Sequence, residues 1–164
     1  MDRSTSLAQQ SLALALQLYE TNPPKSHIDY ETYIRSVILA YQLVGDRFAL
    51  LSERRHEGKE MYLKSLEIAE QLYSSSPRES NQIGVLVKDS LMSLLSVSAV
   101  EKDHNEVSKW ISRIKQNARN LLTEEDYRLV LYYESQFTSM ATTTSATSKK
   151  RAHRNQQEQQ SEEL

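Results

Sequence analysis

Apolar residues recur along this chain at steps of three and four from Ser6 to Phe137, the period of helices with one buried face. The first run, residues 6–20, carries Leu7, Ser11, Leu14 and Leu18 on one stripe, with Leu12, Ala15 and Tyr19 beside it. Asn22-Pro23-Pro24 should end it, because proline lacks an amide hydrogen and disfavours helical angles in the residue before it. A second helix is expected from Asp29, a plausible N-cap, with Tyr30, Ile34, Val37, Tyr41 and Val44 inward and Gly45 as its left-handed terminal residue. Beyond Phe48, Leu50 and Leu51, residues 52–60 contain no large apolar side chain; the stripe returns with Tyr62, Leu66, Ala69 and Tyr73. Either one long helix runs from Arg47 to Ser75 through a solvated stretch, or a loop around Gly58 divides it. The charged stretch is rich in good helix formers, which favours the long helix.

Residues 79–100 form the next run, after Ser74-Ser75-Ser76-Pro77, and their apolar positions cover more than one face, as in a buried helix. Asp103 with Glu106 three residues on resembles a capping box ahead of Val107, Trp110, Ile111, Ile114, Ala118 and Leu121. Thr123 should cap the last helix, whose opening Glu124-Glu125-Asp126 suits the positive end of the helix dipole. Its inner face is read as Tyr127, Val130, Leu131, Tyr133 and Phe137. There is no strand pattern. The expected fold is all-α, about six antiparallel helices in three hairpins over residues 1–137, either a right-handed solenoid or a helical bundle.

One segment occurs twice. Residues 11–23 and 65–77 match at seven of thirteen positions without a gap: Ser, Leu, Ala, Gln, Leu, Tyr and the closing Pro. The same offset of 54 residues carries Ser36 onto Ser90. A helix that repeats with its terminating proline is the mark of stacked helical units, which bury little alone.

Leu39-Ala40-Tyr41-Gln42-Leu43-Val44-Gly45-Asp46, followed by Tyr62-Leu63-Lys64-Ser65-Leu66-Glu67-Ile68-Ala69, resembles degenerate tetratricopeptide repeats of the longer-helix kind. The resemblance implies a Gly-Asp turn closing one helix, with Tyr62 and Ser65 at the aromatic and small positions of the next. It also implies protein recognition through a concave groove, without catalysis. Two departures weaken it: the 54-residue period exceeds the usual ~34, and the second unit has Glu101-Lys102-Asp103 where the Gly-Asp turn would fall.

Charge and composition narrow the function further. With 20 Lys and Arg against 22 Asp and Glu, the net charge of -2 argues against nucleic-acid binding by the helical body. The absence of cysteine removes disulfides, thiolate metal sites and cysteine nucleophiles, and fits a reducing compartment. No signal pattern opens the chain, and no stretch approaches the roughly 20 apolar residues of a membrane span, so a soluble intracellular protein, cytoplasmic or nuclear, is expected.

His27, His56, His104 and His153 are far apart, no glycine-rich phosphate loop exists, and no cofactor, metal site or catalytic residue is expected. The candidate partner-binding residues are basic and aromatic. Arg54, Arg55 and Lys59 would suit carboxylates or phosphates, although Glu53, Glu57 and Glu60 interleave with them. Nine tyrosines stand against two Phe and one Trp, and Tyr30, Tyr33, Tyr41, Tyr132 and Tyr133 would suit a half-buried interface. Trp110 is read as core. Residues 138–164 change character: a Ser/Thr-rich linker expected to be disordered, then Lys149, Lys150, Arg151 and Arg154, then a Gln/Glu-rich end. The basic run has the composition of a nuclear import signal or a nucleic-acid contact.

The sequence therefore predicts a non-catalytic adaptor or small subunit that binds a peptide or helix of another protein. The alternatives are a nucleic-acid- or chromatin-associated factor using the basic run, and an obligate homodimer whose solenoid ends need covering.

Overall fold

The computed structural model describes residues 3–21, 27–75 and 80–137, all helix and short turns. Six α-helices follow one another: α1 (Arg3–Thr21), α2 (His27–Ala49), α3 (Arg55–Ser75), α4 (Ser80–Val100), α5 (His104–Asn117) and α6 (124–137). Short 3-10 turns at Ser52–Arg54 and Arg119–Leu121 precede α3 and follow α5. Each helix packs on its neighbour in sequence from α1 to α5, and α2 also touches α4.

The centre of the molecule is α4. Between Ile83 and Val97 it buries Leu86, Val87, Leu91, Met92, Leu94 and Leu95, against Ile38 of α2, Tyr62, Leu66, Ala69 and Leu72 of α3, Trp110 of α5 and Val130 of α6. Each such side chain contributes about 1.5–3 kcal/mol on leaving water. It is buried over more than one face, as its apolar sequence predicts, with Val85 and Val100 left exposed. Gln82–Val100 is also long and apolar enough by composition to cross a membrane, contrary to the sequence expectation, but 72% of that window lies inside the protein. A hydroxyl network keys the packing: Gln42 Nε2 donates to Ser90 Oγ at 2.9 Å, and Ser65 and Ser90, both fully buried, share a 2.8 Å hydrogen bond. Slipping α3 against α4 would strand these groups without partners.

Several boundaries differ from expectation. α2 starts at His27, so Asp29 lies inside it, and it continues through Gly45, which is helical and not a left-handed terminus. The break falls at Leu50–Arg54, so neither the long helix from Arg47 nor the loop at Gly58 is formed. Gly58 lies within α3, where a Cβ would meet the Ala49 amide nitrogen at 2.8 Å and the Gly45 carbonyl oxygen at 2.9 Å. Glycine lets the two helix backbones touch.

The segment Glu101-Lys102-Asp103 turns the chain from α4 into α5. Lys102 takes φ 58°, its amide bonds to Ala99 O, and the Asp103 amide reaches back to Ser98 O at 3.0 Å, the pattern of a helix closed by a left-handed residue. Asp103 then caps α5 through the amides of Asn105 and Glu106, as predicted, but Glu106 turns to Lys109 and Lys59, so the capping box is not reciprocal. The reciprocal box stands at α6: the Asp126 amide donates to Thr123 Oγ1, and the Thr123 amide to Asp126 Oδ2. The inner face of α6 is Leu129, Val130, Tyr133 and Phe137; Tyr127 and Leu131 are exposed. Tyr73 of α3 is likewise exposed, with Leu72 buried in its place. Leu7, Ser11 and Leu14 of α1 also face outward, while Leu12 and Leu16 turn toward α2 and α3, which reverses the expected inner stripe. The proline-containing breaks at 22–26 and 76–79, and residues 138–164 with Lys149, Lys150, Arg151 and Arg154, lie outside the described residues.

Candidate functional site

An open cleft of about 480 Å³ lies where α2, α4 and α6 meet. Asp46, Ala49 and Leu50 come from α2 and its end, Met92, Ser93, Ser96, Val97 and Val100 from α4, and Asp126 and Leu129 from α6; α3 adds Arg55 and Tyr62. Its polar groups are fixed from behind. The Tyr62 ring lies over Gly45, where a Cβ would come within 2.7 Å of it, and its hydroxyl donates to Asp46 Oδ1 at 2.6 Å. Burial pushes the Tyr62 phenol far above its ordinary pKa, and the Asp46 carboxylate adds to the shift.

Lys88, only 8% exposed, donates to Asp126 Oδ2 at 2.9 Å and lies 2.8 Å from Asp89 Oδ1. Burial alone would lower the pKa of Lys88, but the two carboxylates outweigh it and hold the ammonium above its ordinary range. For Asp126 burial works upward, and hydrogen bonds from the Thr123 amide and Lys88 reverse it, leaving the carboxyl below its usual pKa. The cation lies beneath and the carboxylates lie nearer the water: the Asp89 side chain is 44% exposed, that of Lys88 10%.

Exposed aliphatic side chains continue the cleft-lining faces of α2 and α4. Leu39, Leu43 and Asp46 fall at three- and four-residue steps on one face of α2, Leu50 follows four residues on just past its end, and all three leucines are exposed, Leu50 by 76%. Val85, Asp89, Ser93, Ser96 and Val100 repeat that arrangement on α4, with both valines exposed. Each of the three groove helices thus supplies one carboxylate, Asp46, Asp89 or Asp126, among aliphatic groups. Such a surface can bury apolar side chains and orient donors or cations beside them.

The residues singled out in the sequence do not assemble into one site. Arg54 is taken by Glu57, through Nε at 2.7 Å and Nη2 at 2.6 Å, and its guanidinium stacks 3.7 Å from the centre of the Phe48 ring. Those hydrogen bonds hold the Glu57 carboxyl below its ordinary pKa. Lys59 lies 3.5 Å from Glu101 and 3.7 Å from Glu106. Only Arg55 reaches the cleft, where its Nε donates to Ala49 O at 3.4 Å.

The tyrosines are dispersed as well. Tyr30 and Tyr33 line a different hollow, between α1, α2 and α3, with Leu16, Ile34, Val37 and Ile68. Tyr41 is half-buried near Lys64 of α3, and Tyr132 is exposed on α6, its ring 5.6 Å from that of Tyr133. Trp110 is core, 1% exposed, as expected.

Sequence reasoning passed over the groove leucines because it followed only the Tyr30–Ile34–Val37–Tyr41–Val44 stripe. The signal was present: Leu39 and Leu43, continued by Leu50 just past the helix end, form a second apolar stripe beside the first. No protein-family model matches the chain, and neither a curated protein nor a solved structure matches it significantly.

Proposed function

We propose that this chain is a non-catalytic adaptor or subunit, built of tetratricopeptide-like helical hairpins, that binds an amphipathic segment of another protein along the α2–α4–α6 groove. The observation that carries the reading is the exposed row of Leu39, Leu43 and Leu50 with Val85 and Val100 exposed on α4, set among Asp46, which accepts from the Tyr62 hydroxyl, and Asp89 and Asp126, whose shared counter-cation, Lys88, lies beneath them. A segment with two or three aliphatic anchors and a Lys or Arg between them fits that surface. The hairpin arrangement is supported by contact order. Asp46 near the end of α2 meets Tyr62 early in α3, whereas Arg35 and Gln42 meet Gln82 and Ser90, so α2 and α4 run the same way. Glu70 with Arg113, and Lys59 with Glu106, give α3 and α5 a shared direction.

The test is a photo-crosslinking residue at Ser93 in the groove, compared with one at Ser112 on the outer face of α5. The expected result is one discrete protein crosslinked from position 93 through a segment bearing aliphatic and basic residues, and lost in Leu43→Glu/Leu50→Glu. Crosslinks from position 112 but not from 93, or nucleic acid recovered through residues 149–154, would overturn the groove reading.

A further inference from the structure

The three carboxylates of the groove are each committed by one oxygen only. Asp46 Oδ1 accepts the Tyr62 hydroxyl, Asp89 Oδ1 faces Lys88, and Asp126 Oδ2 takes Lys88 and the Thr123 amide. Among the described residues the second oxygen of each has no donor. Two cations, Lys88 and Arg55, stand against these three acids, so the surface keeps an excess of negative charge. Arg55 is itself turned by its Nε to Ala49 O. What remains open on this surface is acceptor, and it selects a cationic, donor-rich occupant.

The chain carries such a segment. Residues 1–137 hold 16 Lys and Arg against 19 Asp and Glu, whereas residues 149–154 hold Lys149, Lys150, Arg151 and Arg154 and no acid. Its point of departure is fixed. Phe137, the last residue of α6, sets its ring 4.8 Å from that of His104, the first residue of α5. Only Glu101, Lys102 and Asp103 separate His104 from Val100, which lines the cleft. The chain beyond Phe137 therefore leaves the helical body beside the Val100 end of the groove. From there Asp126 lies eleven residues back along α6, and Asp89 eleven residues back along α4 from Val100, roughly 16 Å in each case. The twelve residues 138–149 reach at most about 40 Å, so the basic run can meet every one of the carboxylates.

We infer that residues 149–154 of the same chain lie over the carboxylates of the α2–α4–α6 groove and compete there with the partner segment, an inference that rests on the groove reading. The run has no aliphatic side chain larger than Ala152, so it leaves Leu39, Leu43 and Leu50 uncovered. It holds by charge alone, and a partner that adds aliphatic anchors displaces it. Tethering sets its local concentration on the order of 1 mM, so a contact with a dissociation constant of about 1 mM is closed about half of the time.

The test is a nitroxide on Ser148→Cys of the full chain, whose only cysteine it is, read by the broadening of backbone amide signals. The signals of Leu43, Asp46, Asp89 and Ser93 should broaden more than those of Leu63 and Gln71 on α3. The difference should vanish in Lys149→Glu/Lys150→Glu/Arg151→Glu/Arg154→Glu and in Asp46→Asn/Asp89→Asn, and in about 1 M salt, where charges are screened beyond about 3 Å. The fourfold charge reversal should also raise the crosslinking yield from position 93 about twofold, as the closed half of the population opens. Equal broadening of both faces, or broadening that survives the charge reversal, would overturn the inference. So would broadening carried from spin-labelled chains to isotope-labelled chains mixed with them, which would make the contact one between copies. Crosslinking from position 93 without the tail-dependent broadening removes this inference alone; broadening without any crosslinked protein removes the partner reading alone.

Discussion

Replacing Gly58 with alanine should destabilise the protein, although the same change in an ordinary helix stabilises it. Gly58 lies in the first turn of α3, where that helix touches α2. A Cβ there would stand 2.8 Å from Ala49 N, 2.9 Å from Gly45 O and 3.2 Å from Ala49 Cα, all main-chain atoms that no rotamer change can move aside. Restoring an ordinary 3.4 Å contact requires the helices to part by about 0.6 Å, the difference between 3.4 and 2.8 Å. Overpacking of this kind costs about 1–3 kcal/mol. The helix preference of alanine over glycine returns roughly 1 kcal/mol. Since the clash is with backbone, the net loss should be about 1–2 kcal/mol, lowering the melting temperature by about 2–8 °C for a chain of this size. Urea unfolding followed by circular dichroism at 222 nm would read it as a lower midpoint with unchanged slope. Gly84→Ala is the control: its Cβ would clash with one terminal methyl of Leu121 at 2.7 Å, which can swing away, and otherwise makes ordinary contacts at 3.6 Å and beyond. It should be neutral or gain up to about 1 kcal/mol. A Gly58→Ala protein as stable as wild type, or a larger loss at Gly84, would refute the reasoning.

Lys102→Gly should raise stability by about 1 kcal/mol, because the lysine holds a left-handed angle that glycine adopts without strain; a lower urea midpoint would count against it. Tyr62→Phe should cost about 0.5–1.5 kcal/mol at neutral pH through the lost bond to Asp46. Because the folded protein holds that phenol neutral while the unfolded chain ionises it near pH 10, the stability from the shift is present below about pH 10 and lost above it. The gap between wild type and Tyr62→Phe should therefore narrow from pH 9 to about pH 11 in thermal melts, and a constant gap would reject this. For Asp126 the sign is opposite: its folded pKa is lowered, so its contribution is present above about pH 4 and lost as pH falls through the folded value. Asp126→Asn should flatten the acid side of the stability profile, and an unchanged profile would exclude the carboxylate as its source.

Read from residues alone, the chain already declared its helices, their number, the burial of α4 and Trp110, and the caps at Asp103 and Thr123, because periodicity and capping chemistry are local. The same local signals misled where a neighbour decides. Gly45-Asp46 looked like a turn, yet it is helix with Tyr62 packed over it and α2 runs on to Ala49, while the left-handed close of α4 falls on Lys102, where no glycine announced it. Arg54 and Lys59 looked like a docking patch until Glu57, Phe48, Glu101 and Glu106 were seen around them; the last two lie more than forty residues away from Lys59. The groove was half legible, as a second leucine stripe on α2, but its three carboxylates share a surface only after α4 and α6 pack beside it.

What the sequence by itself determined was which faces are apolar, and so the all-helical class. Only the tertiary structure decided which of those faces is covered. Ser65 and its repeat partner Ser11 hold matching positions in the repeated segment, yet Ser65 is fully buried and Ser11 is exposed. The hydrophobic effect drives apolar area out of water without naming the neighbour that removes it, and that neighbour is set by the packing of the whole chain.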